Sequence, residues 1–142
     1  MNKNLILLPL LLQGLTTLVA YSLLRIRRDN ATNAGLVNES RRALHDDAWP
    51  DHVLQINNNI RNQFELPVLF YVLCFVLWAT NYVGPFGLGV ATLFSLSRMV
   101  HLHIHTGSNY VPYRRRAFTF GLVMVVGLLG VSASGVISGL LT

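Results

Sequence analysis

The sequence contains very little charge. Of its 142 residues, 12% are Asp, Glu, Lys or Arg, about half the share found in an average soluble domain. Three long stretches, residues 4–24, 66–97 and 117–142, contain no charge at all. Because a transmembrane helix needs about 20 apolar residues, we expect an integral membrane protein. The length predicts one transmembrane domain over residues 1–142 and no separate soluble domain.

Cysteine and strand-like alternation are also scarce. The one cysteine, Cys74, excludes an intramolecular disulfide, and its place in an apolar run is typical of a packed core side chain. Apolar and polar residues do not alternate with a period of two, which argues against strands. The net charge of +5 comes almost entirely from arginines that flank apolar runs, so it indicates membrane orientation and predicts no nucleic-acid partner.

Four apolar runs predict four helices, because a backbone in lipid must satisfy its hydrogen bonds within its own segment. They cover about residues 4–24, 53–82, 88–105 and 113–141, with a polar loop at about 25–51. The turn "GPFG" (Gly84–Gly87) and the segment "TGSNYVP" separate the last three. The expected fold class is therefore all-α, a left-handed up-down bundle of four transmembrane helices.

The arginines predict how the chain is oriented. Five lie in the loop after the first helix and three, Arg114–Arg116, open the fourth, whereas the "GPFG" turn and the C-terminus carry none. Positively charged loops stay in the cytoplasm, so both termini are expected outside. The glycosylation sequons at Asn30 and Asn38 then face the cytoplasm and should carry no glycan.

Small residues recur every four positions on two of the predicted helices. One row is Gly87, Ala91 and Ser95, and the other is Gly130, Ser134 and Ser138. Such rows allow helix backbones to approach closely, either within one chain or between subunits. The sequence leaves both roles open.

Polar residues gather at the cytoplasmic ends of the second and third predicted helices. Their spacings of three, four or seven residues place them on one face of each helix. The second helix carries Asn58, Arg61, Asn62 and Glu65, and the third carries Arg98, His101 and His105. Ionisable residues inside a membrane indicate function, so we predict a ligand site open to the cytoplasm. A structural ion pair of Glu65 with Arg98 or Arg61 is the alternative, and the two roles can share residues.

The stretch "HLHIH" also suggests metal binding. His101 and His105 share a helical face, and with Glu65 they would complete a three-ligand zinc site. No HExxH motif and no second cysteine accompanies them, so we predict no metal.

The stretch "YVPYRRR" begins the fourth helix. Its tyrosines, Tyr110 and Tyr113, are typical of a membrane interface, and its arginines mark a cytoplasmic helix start. Three arginines at a helix N-terminus also favour an anion. We expect an acidic, peptide-like ligand or a lipid headgroup here, with both tyrosines among the binding residues.

The arrangement of four helices, a charged loop after the first and the motif "NQFELP" (Asn62–Pro67) resembles the MAPEG superfamily, the membrane-associated proteins in eicosanoid and glutathione metabolism. The stretch "RMVHLHIH" (Arg98–His105) is similar to that family's arginine followed by site residues three and seven positions later. The resemblance covers essentially the whole chain and is closest to the bacterial, largely uncharacterised branch. It implies a homotrimer in a bacterial inner membrane, with glutathione bound between neighbouring subunits near the cytoplasmic side.

The resemblance also implies residue roles. Asn62 and Glu65 would bind polar groups of glutathione, and the two histidines would stand where characterised members use tyrosines. Arg114 or Arg115 would be catalytic, because a nearby guanidinium lowers the pKa of a thiol. The thiolate would then attack a lipophilic electrophile that arrives through the surrounding membrane lipids, while the protein supplies positioning and charge stabilisation.

Two positions depart from the family pattern. Asn58 stands where characterised members carry an arginine, and Leu66 stands where tyrosine is frequent. These departures bear on the prediction that glutathione is bound and not on the predicted fold. The leading interpretation is a glutathione transferase-like or peroxidase-like membrane enzyme. The alternatives are a non-catalytic trimer that binds a lipid or acidic metabolite and a metal-handling protein built on His101 and His105.

Overall fold

The computed structural model describes residues 1–141, and every regular element in that range is helical. The α-helices are α1 (Leu7–Asn33), α2 (Asp51–Gln63), α3 (Leu66–Ala79), α4 (Pro85–Thr106) and α5 (Val111–Leu140), with 3₁₀ turns at Lys3–Ile6 and Asp46–Ala48. Together α2 and α3 occupy the place of the second predicted helix. The four predicted helical rods are therefore present, and the all-α fold class is confirmed over the described residues.

The second rod is broken where the sequence predicted one continuous helix over about residues 53–82. Glu65, the residue before α3, has φ −100° and ψ −101°, outside the helical region. The cause is Pro67, which has no N–H and whose ring would clash with the carbonyl of Gln63 in a continuous helix. Pro67 lies instead in the first turn of α3, where its missing N–H needs no partner inside the helix.

The first helix runs past its predicted end near residue 24. Its apolar stretch stops there, but the backbone stays helical through the charged segment to Asn33. Gly35, at φ +65°, ends α1 with a Schellman motif: Leu36 N–H donates to the carbonyl of Ala31, and Gly35 N–H to the carbonyl of Thr32, both at 3.0 Å. The prediction had located the end of the apolar span and not the end of the helix.

Three helical segments are long and apolar enough to cross a membrane: Lys3–Asn33, Asp51–Ala79 and Val111–Leu140. Helix α4 is not among them, although the sequence predicted four. Its final turns carry Arg98 and three histidines, which lower its mean hydropathy. It packs most extensively against α5 and also contacts α1 and α2, so much of its surface is covered by the other helices.

The two rows of small residues face different surroundings. The row on α4 is buried inside the chain, and Ser95 Oγ donates a hydrogen bond to the carbonyl of Pro9 on α1 at 2.7 Å. In the row on α5, a Cβ added to Gly130 would meet no described atom within 4 Å, and Ser134 is exposed. The α4 row therefore serves packing within the chain, and the α5 row faces outward.

The two ends of the bundle differ in character. At one end the N-terminus is tied to the turn between α3 and α4, where Lys3 Nζ donates to Asn81 Oδ1 and Trp78 Nε1 donates to Asn4 Oδ1, both at 2.8 Å. At the opposite end lie the arginine-rich loop after α1 and the arginines that open α5. The predicted polar residues lie toward this second end.

Candidate functional site

A cavity of about 470 Å³ opens between α2, α4 and the first turns of α5 at the arginine-rich end. Its lining consists of Asn58, Asn62, His101, His105, Val111, Arg114, Arg115 and Phe118. Six of these were predicted from the sequence, so residues from three separate stretches of the chain do meet. The volume lies within the range of small-molecule sites, about 300–1,000 Å³.

The cavity is positively charged. Arg114 and Arg115 line it, and its lining includes no carboxylate. Arg114 Nη1 donates to Asn109 Oδ1. Asn109 lies in the turn before α5 and has a left-handed backbone, with φ 51°. Arg116 faces elsewhere, because each residue turns a helix by about 100°. It lies 5.8 Å from the centre of the Tyr113 ring, beside a separate apolar groove.

Arg98 lies behind the cavity wall and is completely buried. Its Nη2 donates to the backbone carbonyl of Asn62 at 3.1 Å. That carbonyl is available because the break in the second rod removes the helical bond from the N–H of Leu66. Among the described residues, Nε and Nη1 of Arg98 have no hydrogen-bond partner. The guanidinium carbon lies 5.9 Å from the centre of the Phe118 ring, which lines the cavity.

A chain of buried amide side chains leads to His105. Gln13 Nε2 donates to Gln63 Oε1 at 2.9 Å, Gln63 Nε2 donates to Asn59 Oδ1 at 3.1 Å, and Asn59 Nδ2 lies 3.2 Å from His105 Nδ1. These contacts join α1, α2 and α4. None of the three amides was among the predicted site residues, although Gln13 stands out as a polar residue within an apolar run, which is itself a signal of a site.

His101 completes the polar wall. Its ring packs edge-on against that of His105, with centroids 5.3 Å apart, and lies 6.1 Å from the Phe118 ring. Its Nδ1 is buried and has no partner among residues 1–141. Over the same residues, no three His, Cys, Asp or Glu side chains lie close enough together to hold a metal ion. The zinc site with Glu65 considered from the sequence is not formed.

Two residues predicted to share the face of Asn58 and Asn62 lie outside the cavity. Arg61 turns toward the loop after α1 and pairs with Asp46. Glu65 is exposed at the break and interacts with Arg98 only over a longer distance. No ion pair of Glu65 with Arg98 or Arg61 is present in the described structure. The face was predicted for a continuous helix, and Glu65 leaves it because the helix breaks there. Arg61 lies before the break and leaves the face because it pairs with Asp46.

Tyr110 and Tyr113 also lie outside the cavity. Their rings pack edge to face with centroids 4.9 Å apart, and both side chains are exposed. Tyr113 lines the apolar groove between α4 and α5, together with Arg116. Their exposed positions near the start of α5 agree with the prediction that both tyrosines lie at the membrane interface.

The comparisons with known proteins give one match. A sequence model of the MAPEG family matches residues 5–134, which is nearly the whole chain. No curated protein and no solved structure matches it.

Proposed function

The chain belongs to the MAPEG family, and from this premise we propose that it binds glutathione, or a similar anionic thiol peptide, and conjugates or reduces lipophilic electrophiles. One observation carries the proposal. Arg114 and Arg115 meet His101, His105 and the asparagines of α2 in a cavity whose lining contains no carboxylate. Glutathione brings two carboxylates and a thiol that reacts as its anion, and such a lining favours all three.

The two cavity arginines differ in how firmly they are held. Arg114 is partly buried and tied to Asn109, whereas Arg115 is exposed. A fixed charge stabilises a reacting anion without reorganising at the moment of reaction. We therefore assign the thiolate to Arg114 and a carboxylate of the peptide to Arg115. In conjugation, the thiolate sulfur forms a bond to the electrophilic carbon, and the leaving group departs with its electron pair.

The same premise extends to the membrane. All four rods cross the bilayer in this proposal, including α4, whose 22 residues reach roughly 33 Å at about 1.5 Å each. The hydrocarbon core is about 30 Å thick. The arginine-rich end lies in the cytoplasm of a bacterial cell and both termini lie outside the inner membrane, which agrees with the distribution of positive charge.

The proposed assembly is a homotrimer. The outward row on α5 supports a contact between chains, since Gly130 and Ser134 would let a second helix approach closely. Native mass spectrometry of the protein released from detergent micelles should show three chains. A monomer or dimer as the main species would contradict this part of the proposal.

The central experiment compares Arg114→Ala with Arg116→Ala. Both variants remove one guanidinium from the same helix turn, but only Arg114 lines the cavity. A hydrogen-bonded charge contributes about 1.5–3 kcal/mol, so the Kd for glutathione should rise by roughly 10- to 150-fold in Arg114→Ala. Arg116→Ala should stay within about twofold of wild type. Titration calorimetry measures the Kd, and a chromogenic electrophile reports conjugation.

The outcomes separate the proposed enzyme from its alternative. Equal losses in the two arginine variants would place the anion outside this cavity. Wild-type protein that neither binds glutathione nor conjugates it would refute the proposed activity. If it instead bound an anionic lipid or acidic metabolite without turnover, the non-catalytic alternative would take its place.

A further inference from the structure

The chain of amides from Gln13 to His105 has a direction. Each amide donates an N–H to the next side chain, and the last donor, Asn59 Nδ2, faces His105 Nδ1. An amide nitrogen has only N–H groups to offer, so Nδ1 must accept and can carry no proton. A neutral imidazole then holds its proton on Nε2.

We propose that Gln13, Gln63 and Asn59 are positioning residues that fix His105 as an Nε2–H donor toward the contents of the cavity. His105 is buried yet lines the cavity, and with Nδ1 engaged, Nε2–H is the polar group its ring has left. The end of α4 is held as well, because Gln55 Nε2 donates to the carbonyl oxygens of His105 and Gly107.

The observed direction costs less than its reverse. The two directions differ in what Gln13 leaves to be paired at the far end of the chain. In the observed direction one of its N–H groups donates to Gln63, and its carbonyl oxygen Oε1 has no described partner. In the reverse direction Oε1 would accept from Gln63, and both N–H donors of the buried Gln13 amide would need partners elsewhere. Orphaned buried N–H groups are rarer in proteins than carbonyl groups with unused lone pairs, so the proton on His105 is directed to Nε2.

A donor at this position has a defined chemical role. A protonated Nε2 has no lone pair, so His105 cannot act there as the base that removes the thiol proton. It instead donates a hydrogen bond to an anion in the cavity, in addition to the charge of Arg114. The donor role rests on the proposed function, whereas the location of the proton on the ring does not.

The experiment reads the proton directly by nitrogen NMR of ¹⁵N-histidine-labelled full-length protein in lipid nanodiscs, without glutathione. Protonated and unprotonated ring nitrogens resonate far apart, and the loss of signals in His105→Gln assigns them. In wild-type protein, Nε2 should be protonated and Nδ1 should not. In Asn59→Asp the new carboxylate can only accept, so Nδ1 should become protonated, whether or not Nε2 keeps its proton.

Asn57→Asp is the matched control, because it adds the same charge two residues away, at a side chain that faces Asp46 and belongs neither to the amide chain nor to the cavity lining. Its His105 signals should resemble those of wild type. The inference is overturned if wild-type Nδ1 is protonated, if Asn59→Asp leaves it unprotonated, or if the control produces the same change. Should Asn59→Asp not fold, the wild-type spectrum still decides where the proton lies.

A binding measurement connects the proton to the ligand. Asn59→Leu adds no charge and removes the group that orients His105, so the Kd for glutathione should rise by about fivefold, the effect of losing one ordinary hydrogen bond. An unchanged Kd would refute the donor role. Absence of glutathione binding by wild-type protein would refute the proposed function and leave the NMR result standing.

Discussion

Replacing Arg98 by methionine should make the protein more stable while weakening its response to ligand. Arg98 is completely buried and, within the described structure, makes one hydrogen bond, to the backbone carbonyl of Asn62. Charged side chains within a membrane are costly unless they are paired. Methionine has a similar length and no charge, so it fills the same space without that cost.

The expected change in the free energy of unfolding follows from the three guanidinium nitrogens of Arg98. Two of them, Nε and Nη1, have no partner in residues 1–141, and each unpaired buried donor costs about 1–3 kcal/mol. The substitution gives up the bond from Nη2, which contributes about 1.5–3 kcal/mol. The centres of these ranges leave roughly 2 kcal/mol in favour of methionine. Replacements of buried ionic groups by apolar residues commonly show gains of this order.

Thermal unfolding in detergent, followed by circular dichroism, measures the effect. In a chain of about this size, each 1 kcal/mol shifts Tm by roughly 2–4 °C, so Arg98→Met should raise Tm by roughly 4–8 °C. Saturating glutathione should raise the Tm of wild-type protein and raise that of the variant less. Arg25→Met is the matched control, because within residues 1–141 this exposed arginine takes part only in a surface ion pair with Asp29, whose loss costs at most about 1 kcal/mol.

Three results would refute the reasoning about Arg98. A fall in Tm would show that the guanidinium stabilises the fold, through groups such as a neighbouring subunit that pair its free nitrogens. An unchanged response to glutathione would show that its charge does not act on the cavity. A change of the same size in Arg25→Met would attribute the effect to net charge and not to this site.

Two further predictions concern helix packing and orientation. Gly135→Ala should cost about 1–3 kcal/mol, because the added methyl group would lie 2.7 Å from a tyrosine Cβ, whereas Gly127→Ala meets its nearest atom at 3.8 Å and should be tolerated. Equal Tm values for these two variants would contradict the packing of α5. In a cysteine-free background, a membrane-impermeant thiol reagent on intact cells should label Phe86→Cys and spare Leu44→Cys, two positions that are 70% and 88% exposed at opposite ends of the bundle. The reverse labelling pattern would invert the proposed orientation.

Much of the fold was predictable from the sequence. Long runs without charge located the helical rods, since a backbone in lipid has no other way to satisfy its hydrogen bonds. The resemblance to the MAPEG superfamily is confirmed by the family match over residues 5–134. The break at Glu65 was missed, although the sequence shows Pro67 and a change there from the polar α2 to the apolar α3, because the spacing of Asn58, Asn62 and Glu65 fits one continuous helix. The extension of α1 to Asn33 was missed because a helix does not have to end where its apolar residues end.

The candidate site was predicted in part. Helical periodicity correctly grouped Asn58 with Asn62 and His101 with His105, since each pair lies four residues apart on an unbroken stretch of helix. It misplaced Arg61, which turns toward Asp46, and Glu65, which lies at the break. Whether any of these residues binds glutathione, and whether the chain forms a trimer, are still predictions.

The amino-acid sequence by itself determined that this chain consists of membrane-embedded helices with their positive charge gathered at one end. Hydropathy and charge belong to individual residues and add up along the chain, so they can be read in one dimension. Only the tertiary structure decided that Arg114 and Arg115 line the cavity while Arg116 turns away, and that Gln13 reaches His105 through two amides of α2. Such relations depend on how each helix is rotated and where it breaks, and these are set by the packing of residues distant in sequence.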